Sequence, residues 1–292
     1  MPFKRIADEP IHVHAREPAA SYYQLSPFVW RERHDFHILL RAVPYAENPA
    51  EKIARVYHGV SRDGLEFYLD QTPAIAPGPS SDDGDGCEDP TVIRSEGEMF
   101  AYYTGWNQER RRGCLMLASG PDAAHLRKRG VALASNAQTR NPKEAEVAFA
   151  GDGVWRLLFE FSTGEASRIG LARSDCVSGP WDVGAAPFEC RPEKWDSWHL
   201  SPGPVLAFGE SRTMFYNGAS RDAKWRVGWI RFDATYSSVL ERCDAPIIVP
   251  AAARGDETDI AFAASALAEG DLVRIYYSVA DQYMRRATIH RT

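Results

Sequence analysis

Asp89-Pro90-Thr91-Val92-Ile93, followed by Met99-Phe100-Ala101-Tyr102-Tyr103, decides the fold, because the same pattern recurs along the chain. A polar or acidic residue, often beside a proline, opens an apolar run, and an aromatic-rich segment follows a short turn. The other copies begin Ser26-Pro27-Phe28-Val29, Glu144-Ala145-Glu146-Val147-Ala148-Phe149, Ser201-Pro202-Gly203-Pro204-Val205-Leu206 and Asp259-Ile260-Ala261-Phe262, at steps of 63, 55, 57 and 58 residues. A near-constant period of this size predicts an array of one supersecondary unit.

Each opening run is paired with a second β-rich run across a turn signal such as His34-Asp35, Glu96-Gly97 or Gly151-Asp152-Gly153, which predicts a hairpin. A third run follows in most copies, for example Gly113-Cys114-Leu115-Met116-Leu117-Ala118, and a short fourth one closes the unit, as in Ala74-Ile75-Ala76-Pro77 and Pro246-Ile247-Ile248-Val249-Pro250. Four strands per unit and five units predict an all-β chain, a five-bladed β-propeller occupying 1–292 as a single domain. Residues 77–86, rich in Pro, Gly, Ser and Asp, read as a long loop entering the second unit, and one terminus is expected to help close the first.

Composition narrows the function. The chain has 292 residues, 44% of them hydrophobic, and a net charge of −6, which argues against a nucleic-acid partner. Arg110-Arg111-Arg112 is the one dense basic run and reads as a solvated turn. Five cysteines, without zinc spacing, read as reduced thiols, and no metal site is expected. The first twenty residues lack the apolar core of a signal peptide and no run of 18 apolar residues exists, so a cytoplasmic protein without membrane contact is expected.

In a propeller the innermost strands line the axis, so the openings of the five units gather at one end of it. Asp89, Glu144 and Asp259 are then expected to converge. Converging carboxylates can flank a glycosidic bond or hold sugar hydroxyls, and like charges held together keep one of them protonated. Aromatic rings suit pyranose faces, and Trp106, Trp155, Trp195, Trp198, Tyr103 and Tyr277 lie in or near these segments. Trp198-His199, just before the fourth opening, Asn217, Tyr277 and Asp259 or Glu257 are expected ligand contacts, and Asp196 is expected to cap a turn beside Trp195.

Gly86-Cys87-Glu88-Asp89-Pro90 with its Tyr-Tyr-Thr strand resembles the Glu-Asp-Pro-Arg element of glycoside hydrolase family 130. The resemblance extends through Leu39-Leu40-Arg41-Ala42, Ser61-Arg62-Asp63-Gly64-Leu65-Glu66-Phe67, Gly203-Pro204-Val205 with Phe215-Tyr216-Asn217-Gly218, and Ile275-Tyr276-Tyr277-Ser278-Val279-Ala280-Asp281. It implies a five-bladed propeller acting on β-mannosides, by phosphorolysis or hydrolysis, with inversion. It also implies that Asp89 is the general acid, that Asp63 and Asp281 bind sugar hydroxyls, and that Arg41 borders the same pocket. Where the family carries basic residues for phosphate, this chain has Thr91, Phe159-Glu160-Phe161 and Asn217, with Lys143 and Arg168 retained. An added carboxylate repels phosphate but could deprotonate water, so Glu144 and Glu160 are the candidate bases. The expected function is an inverting hydrolase of a β-mannoside or related oligosaccharide. Its alternatives are a phosphorylase using inorganic phosphate as co-substrate, without other cofactors, and a non-catalytic carbohydrate-binding propeller. A hydrolase of arabinosides or fructosides is disfavoured because Ser26-Pro27 stands where those families carry an Asp. The substrate oligosaccharide is the expected partner, and a homo-oligomer is compatible with the sequence.

Overall fold

A computed structural model describes residues 3–251 and 258–291. Among the described residues, twenty-four strands form six sheets, joined in places by three short 3-10 turns. After β1 (Phe3–Pro10), the first sheet holds β2 (His12–His14), β3 (Tyr22–Glu32), β4 (Asp35–Pro44), β5 (Arg55–Ser61) and β6 (Glu66–Leu69) in the order β2-β6-β5-β4-β3. The second is a meander of β7 (Cys87–Ser95), β8 (Glu98–Asn107), β9 (Arg112–Gly120) and β10 (Arg127–Leu133). The third is β11 (Arg140–Phe149), β12 (Trp155–Thr163), β13 (Ala166–Ser174) and β14 (Asp182–Val183). Two smaller sheets follow: β15 (His199–Ser201), β18 (Asn217–Ala219) and β19 (Trp225–Val227), then β16 (Val205–Phe208), β17 (Ser211–Met214), β20 (Ile230–Phe232) and β21 (Val239–Arg242). The last sheet orders β1-β24-β23-β22, with β22 (Ala261–Glu269), β23 (Leu272–Val279) and β24 (Tyr283–Arg291).

The strands read as continuous apolar runs because both faces of a sheet are covered. In β9, Cys114, Met116 and Ala118 pack towards the first sheet, while Leu115 and Leu117 pack towards the third. Alternation along a strand here sorts residues between two cores rather than between core and water. Gly170 on β13 shows how closely β12 is approached: a Cβ there would sit 2.3 Å from the Phe159 ring.

Successive units pack against one another in a cyclic sequence: β3 on β7, β7 on β11, β13 on β15, β16 and β18 on β22, and β22 back on β3. Every seam carries a polar tie. Ser26 Oγ donates to Asp89 Oδ1 at 2.7 Å between the first and second sheets. Thr91 Oγ1 donates to the Ala145 carbonyl between second and third. Glu146 Oε1 accepts from Val205 N–H at 3.0 Å between third and fourth. Asn217 accepts from Ala263 N–H at 2.7 Å and donates to its carbonyl at 3.1 Å. Ser265 Oγ accepts from Val29 N–H and donates to the Pro27 carbonyl, both at 2.8 Å.

The structure corrects several details of the sequence reading. The N-terminal segment helps close the first sheet, as expected, but it also completes the last: β1 runs antiparallel to β24, and β2 then adds in parallel to β6 at the edge of the first sheet. Ile75 and Ile248 form single bridges only, and the fourth strand of the first sheet is Glu66–Leu69. Phe215-Tyr216 is not strand but a break that splits the fourth unit into two sheets. Pro202 and Pro204 lack ladder donors, and a Cβ at Gly203 would lie 2.1 Å from the Phe215 carbonyl, so the chains cross there too closely for regular pairing.

Candidate active site

Three of the five recurring openings are β-bulges, and β22 carries another just after its opening. Register slips between Leu25 and Phe28, between Glu88 and Thr91, between Lys143 and Glu146, and between Ala263 and Ser265. Ser26, Asp89 and Glu144 occupy the slipped positions with φ of 52°, 49° and 50°. None is glycine, and each left-handed residue costs roughly 1–2 kcal/mol. A bulge re-aims a side chain that regular pleating would send into a seam. The strain is thus concentrated where three polar side chains meet.

They meet in a cavity of about 190 Å³ lined by Ser26, Arg41, Glu88, Asp89, Lys143, Glu144, Glu160 and Asp281, with an apolar wall from Leu25, Trp225, Ile260 and Phe262. It shares Leu25, Arg41 and Asp281 with a second cavity of about 290 Å³ that Tyr23, Val43, Lys52 and Gln282 extend. Arg41 pairs with Glu88 at 2.9 Å and Asp89 at 3.4 Å, and its buried Nε has no hydrogen-bond partner. Lys143 pairs with Glu160 at 3.3 Å. Trp225 stacks on His199 at 5.4 Å and meets Phe262 at 5.3 Å.

The carboxyls are not equivalent. Asp89 is 5% exposed. Burial pushes its carboxyl up, but Arg41, the Ser26 hydroxyl, Lys143 and a hydrogen bond with Glu144 outweigh it and hold Asp89 below the ordinary range. Burial, and then the charge of Asp89, drive Glu144 well above that range. Asp281 and Glu88 are raised chiefly by burial. Lys143 is raised by the Glu160 carboxylate. The side chains of Asp89 and Glu144 are in hydrogen-bond contact, and their carboxyls are shifted in opposite directions.

The remaining expected residues lie around or away from this cavity. Asp259 pairs with Lys224 at 3.0 Å, one residue before the lining Ile260, and Glu257 lies outside the described residues. Trp198 packs on His199 at 4.1 Å, behind Trp225. Trp106 lines a neighbouring cavity with Glu88 and Lys52. Asp63 is not in the pocket: its Oδ1 accepts from Ser61 Oγ and from the amides of Leu65 and Glu66, the local bonding that a Ser-x-Asp-Gly turn favours. Asn217 is wholly buried and satisfied by its seam, and Tyr277 donates to Asp8 at 2.8 Å, facing the N-terminal strand. Asp196 is also fully buried, holding Arg191, Arg242 and Tyr216 rather than capping an exposed turn. Arg168 turns to the carbonyls of Ser167 and Trp198, leaving Lys143 as the retained cation at the cavity. Sequence reasoning passed over Trp225 as a wall residue, although it begins the third strand of its unit. It also passed over Glu88 and Phe262, which stand inside quoted motifs. Among the described residues no group of three or more His, Cys, Asp or Glu is arranged to hold a metal, and no helix is long and apolar enough to cross a membrane.

No known family model matches the chain. A stretch of 99 residues, 32% of this chain, is 33% identical to the β-1,2-mannobiose phosphorylase of Listeria innocua serovar 6a, and it spans only 28% of that relative's length. The solved structure of the Listeria innocua β-1,2-mannobiose phosphorylase with β-1,2-mannobiose superposes with a TM-score of 0.82 at 19% identity, covering 99% of this chain and 97% of that one. A structure from the GH130 family, described as mannoside phosphorylases that contain glycoside hydrolases targeting β-1,2-mannosidic linkages in Candida mannan, gives 0.80 at 20% identity over 98% and 93% of the chains. A glycosyl hydrolase from Bacteroides ovatus gives 0.80 at 19% over 98% and 92%. At such identities the structural likeness is one of fold. In sequence motifs, in its curated relative and in its structural neighbours, the chain resembles glycoside hydrolase family 130.

Proposed function

We propose that the protein cleaves the glycosidic bond of a β-mannoside or related oligosaccharide, with inversion, in the mouth of a five-bladed propeller whose fourth blade is split into two sheets. The cyclic sequence of five tied seams supports that architecture. The observation that carries the function is the meeting of Arg41, Asp89, Lys143, Glu144 and Asp281, from four of the units, around one small polar cavity with an aromatic wall. Asp89 is the group that delivers a proton to the glycosidic oxygen. Arg41 and Asp281 hold sugar hydroxyls, and Trp225 and Phe262 take the apolar sugar face.

Phosphorolysis is the first reading, because the relatives found by both sequence and structure are mannoside phosphorylases. Lys143 is then the cation that meets phosphate. One observation favours hydrolysis as the second reading: five carboxyls, Glu88, Asp89, Glu144, Glu160 and Asp281, face two cations that are already paired. Phosphate wants free cationic donors. In that case Glu160 is the base, because Glu144 bonds Asp89 directly while an inverting acid and base stand roughly 6.5–9.5 Å apart.

Incubation with manno-oligosaccharides, with and without inorganic phosphate, separates the readings. A sugar 1-phosphate formed only with phosphate supports the first. Free sugar formed in either condition supports the second. Oligosaccharide binding without cleavage of any member of the panel rejects both.

A further inference from the structure

An acid catalyst must hold a proton, yet Asp89 is kept ionised by Arg41, by Ser26 Oγ at 2.7 Å and by Lys143. Alone it is a poor donor. Its neighbour across the second seam is a carboxyl with the opposite character. Glu144 sits at the equivalent bulge with the same left-handed backbone, φ 50° against 49° for Asp89. The two side chains enter one cavity and are hydrogen-bonded to each other.

We infer that Asp89 and Glu144 form a single acid: Glu144 stores the proton that Asp89 delivers. The inference rests on the glycoside-cleaving reading above and deepens it. Glu144 acts through Asp89 as a positioning residue and need not touch the leaving oxygen.

The charges facing the pair explain why it carries one proton. Arg41 from β4 and Lys143 from β11 are the cations. Glu88 from β7, Glu160 from β12 and Asp281 beyond β23 are the anions, with the Ser26 hydroxyl from β3 as an added donor. Arg41 is drawn to Glu88 and Asp89, and Lys143 to Glu160, so little positive charge remains to support a second carboxylate within the pair. A doubly ionised pair places two anions in contact, and a doubly protonated one discards the bonds from Arg41 and Ser26. One proton shared by two oxygens is the remaining arrangement.

The cleavage step balances on this basis. The proton moves from Glu144 to Asp89 and on to the glycosidic oxygen as the C1–O bond breaks and C1 bonds to an oxygen of phosphate, or to a water oxygen whose proton passes to Glu160 and then to solvent. The sugar leaves as an alcohol. The pair, now proton-free, takes one proton back from solvent before the next turnover.

The test uses the intact protein and has a substrate-free arm. Infrared carbonyl bands of protonated carboxyls are followed with pH in wild type, Glu144→Gln and Asp89→Asn. Glu146 also holds a proton at neutral pH, so the reading is the difference between wild type and Glu144→Gln, in which one protonated-carboxyl band should be lost. In Asp89→Asn it should titrate at least one pH unit lower, because the anion that holds the proton is gone. In the activity arm, the alkaline limb of kcat/KM should move down by at least one pH unit in Glu144→Gln, a tenfold loss above neutral pH with KM little changed. A merely structural role leaves that limb in place. A difference between wild type and Glu144→Gln that shows no lost carboxyl band at neutral pH overturns the shared proton, even if cleavage is found. Loss of the band in a protein that cleaves no glycoside keeps the proton pair and removes the reaction assigned to it.

Discussion

Glu146 ties the third seam with one hydrogen bond, accepted from Val205 N–H at 3.0 Å, and burial pushes its carboxyl up to about 8 from an ordinary value of 4.5. Folding therefore binds a proton that the unfolded chain has released. Below pH 4.5 both states hold it, and above pH 8 neither does. Between these limits the folded state holds the extra proton, so stability falls as pH rises, by about 1.4 kcal/mol per pH unit. Over the whole window the loss approaches about 5 kcal/mol, a large part of a typical folding free energy of about 5–15 kcal/mol. Glu146→Gln keeps the acceptor for Val205 and cannot ionise. Urea unfolding of wild type and variant at pH 5, 6, 7 and 8 gives the difference, from which other titrating groups cancel. The variant should gain steadily on wild type as pH rises. A difference that stays constant with pH refutes the buried neutral carboxyl.

Further expectations concern the site and the seams. Asp89→Asn should reduce kcat/KM by about 10²–10⁴, the worth of a positioned acid, with an unchanged circular dichroism spectrum, and near-normal turnover removes Asp89 from the reaction. Asn217→Ala leaves the backbone groups of Pro202 and Ala263 without partners inside the core and should cost about 2–4 kcal/mol in chemical unfolding, whereas a loss below about 1 kcal/mol would show that the fourth seam does not depend on it. Gly170→Ala forces a methyl onto the Phe159 ring and should cost about 1–3 kcal/mol, part of it recovered by adding Phe159→Leu; an unchanged unfolding midpoint contradicts the close approach.

The sequence made the repeat visible because a bulge needs an extra residue, and a polar residue in an otherwise apolar strand opening marks it. Ser26, Asp89 and Glu144 were found this way, and the structure gives each the same backbone twist. The chemical partition among them was not legible. Thr91 and Asn217 read as altered phosphate ligands in a linear comparison, yet both side chains are occupied by seams. Glu146 read as one more residue of an opening run, and its seam bond depends on Val205, 59 residues away. Asp63 was misplaced for a different reason: its motif specifies a turn through local bonds alone, so it carries no information about the axis. Glu144 was assigned as a base from charge considerations; its contact with Asp89, which belongs to another unit, could not be read from the sequence.

The pairing of Phe3–Pro10 with Tyr283–Arg291 has a consequence for how the molecule is made. During synthesis Phe3–Pro10 leaves the ribosome with no mate, and it waits until Tyr283–Arg291 has been made. Until then both that segment and the flank of Leu272–Val279 are bare ribbons able to recruit strangers. Closure is thus the slow, late event expected of so distant a pairing, and a product stalled before Tyr283 would be an open arc rather than a smaller ring.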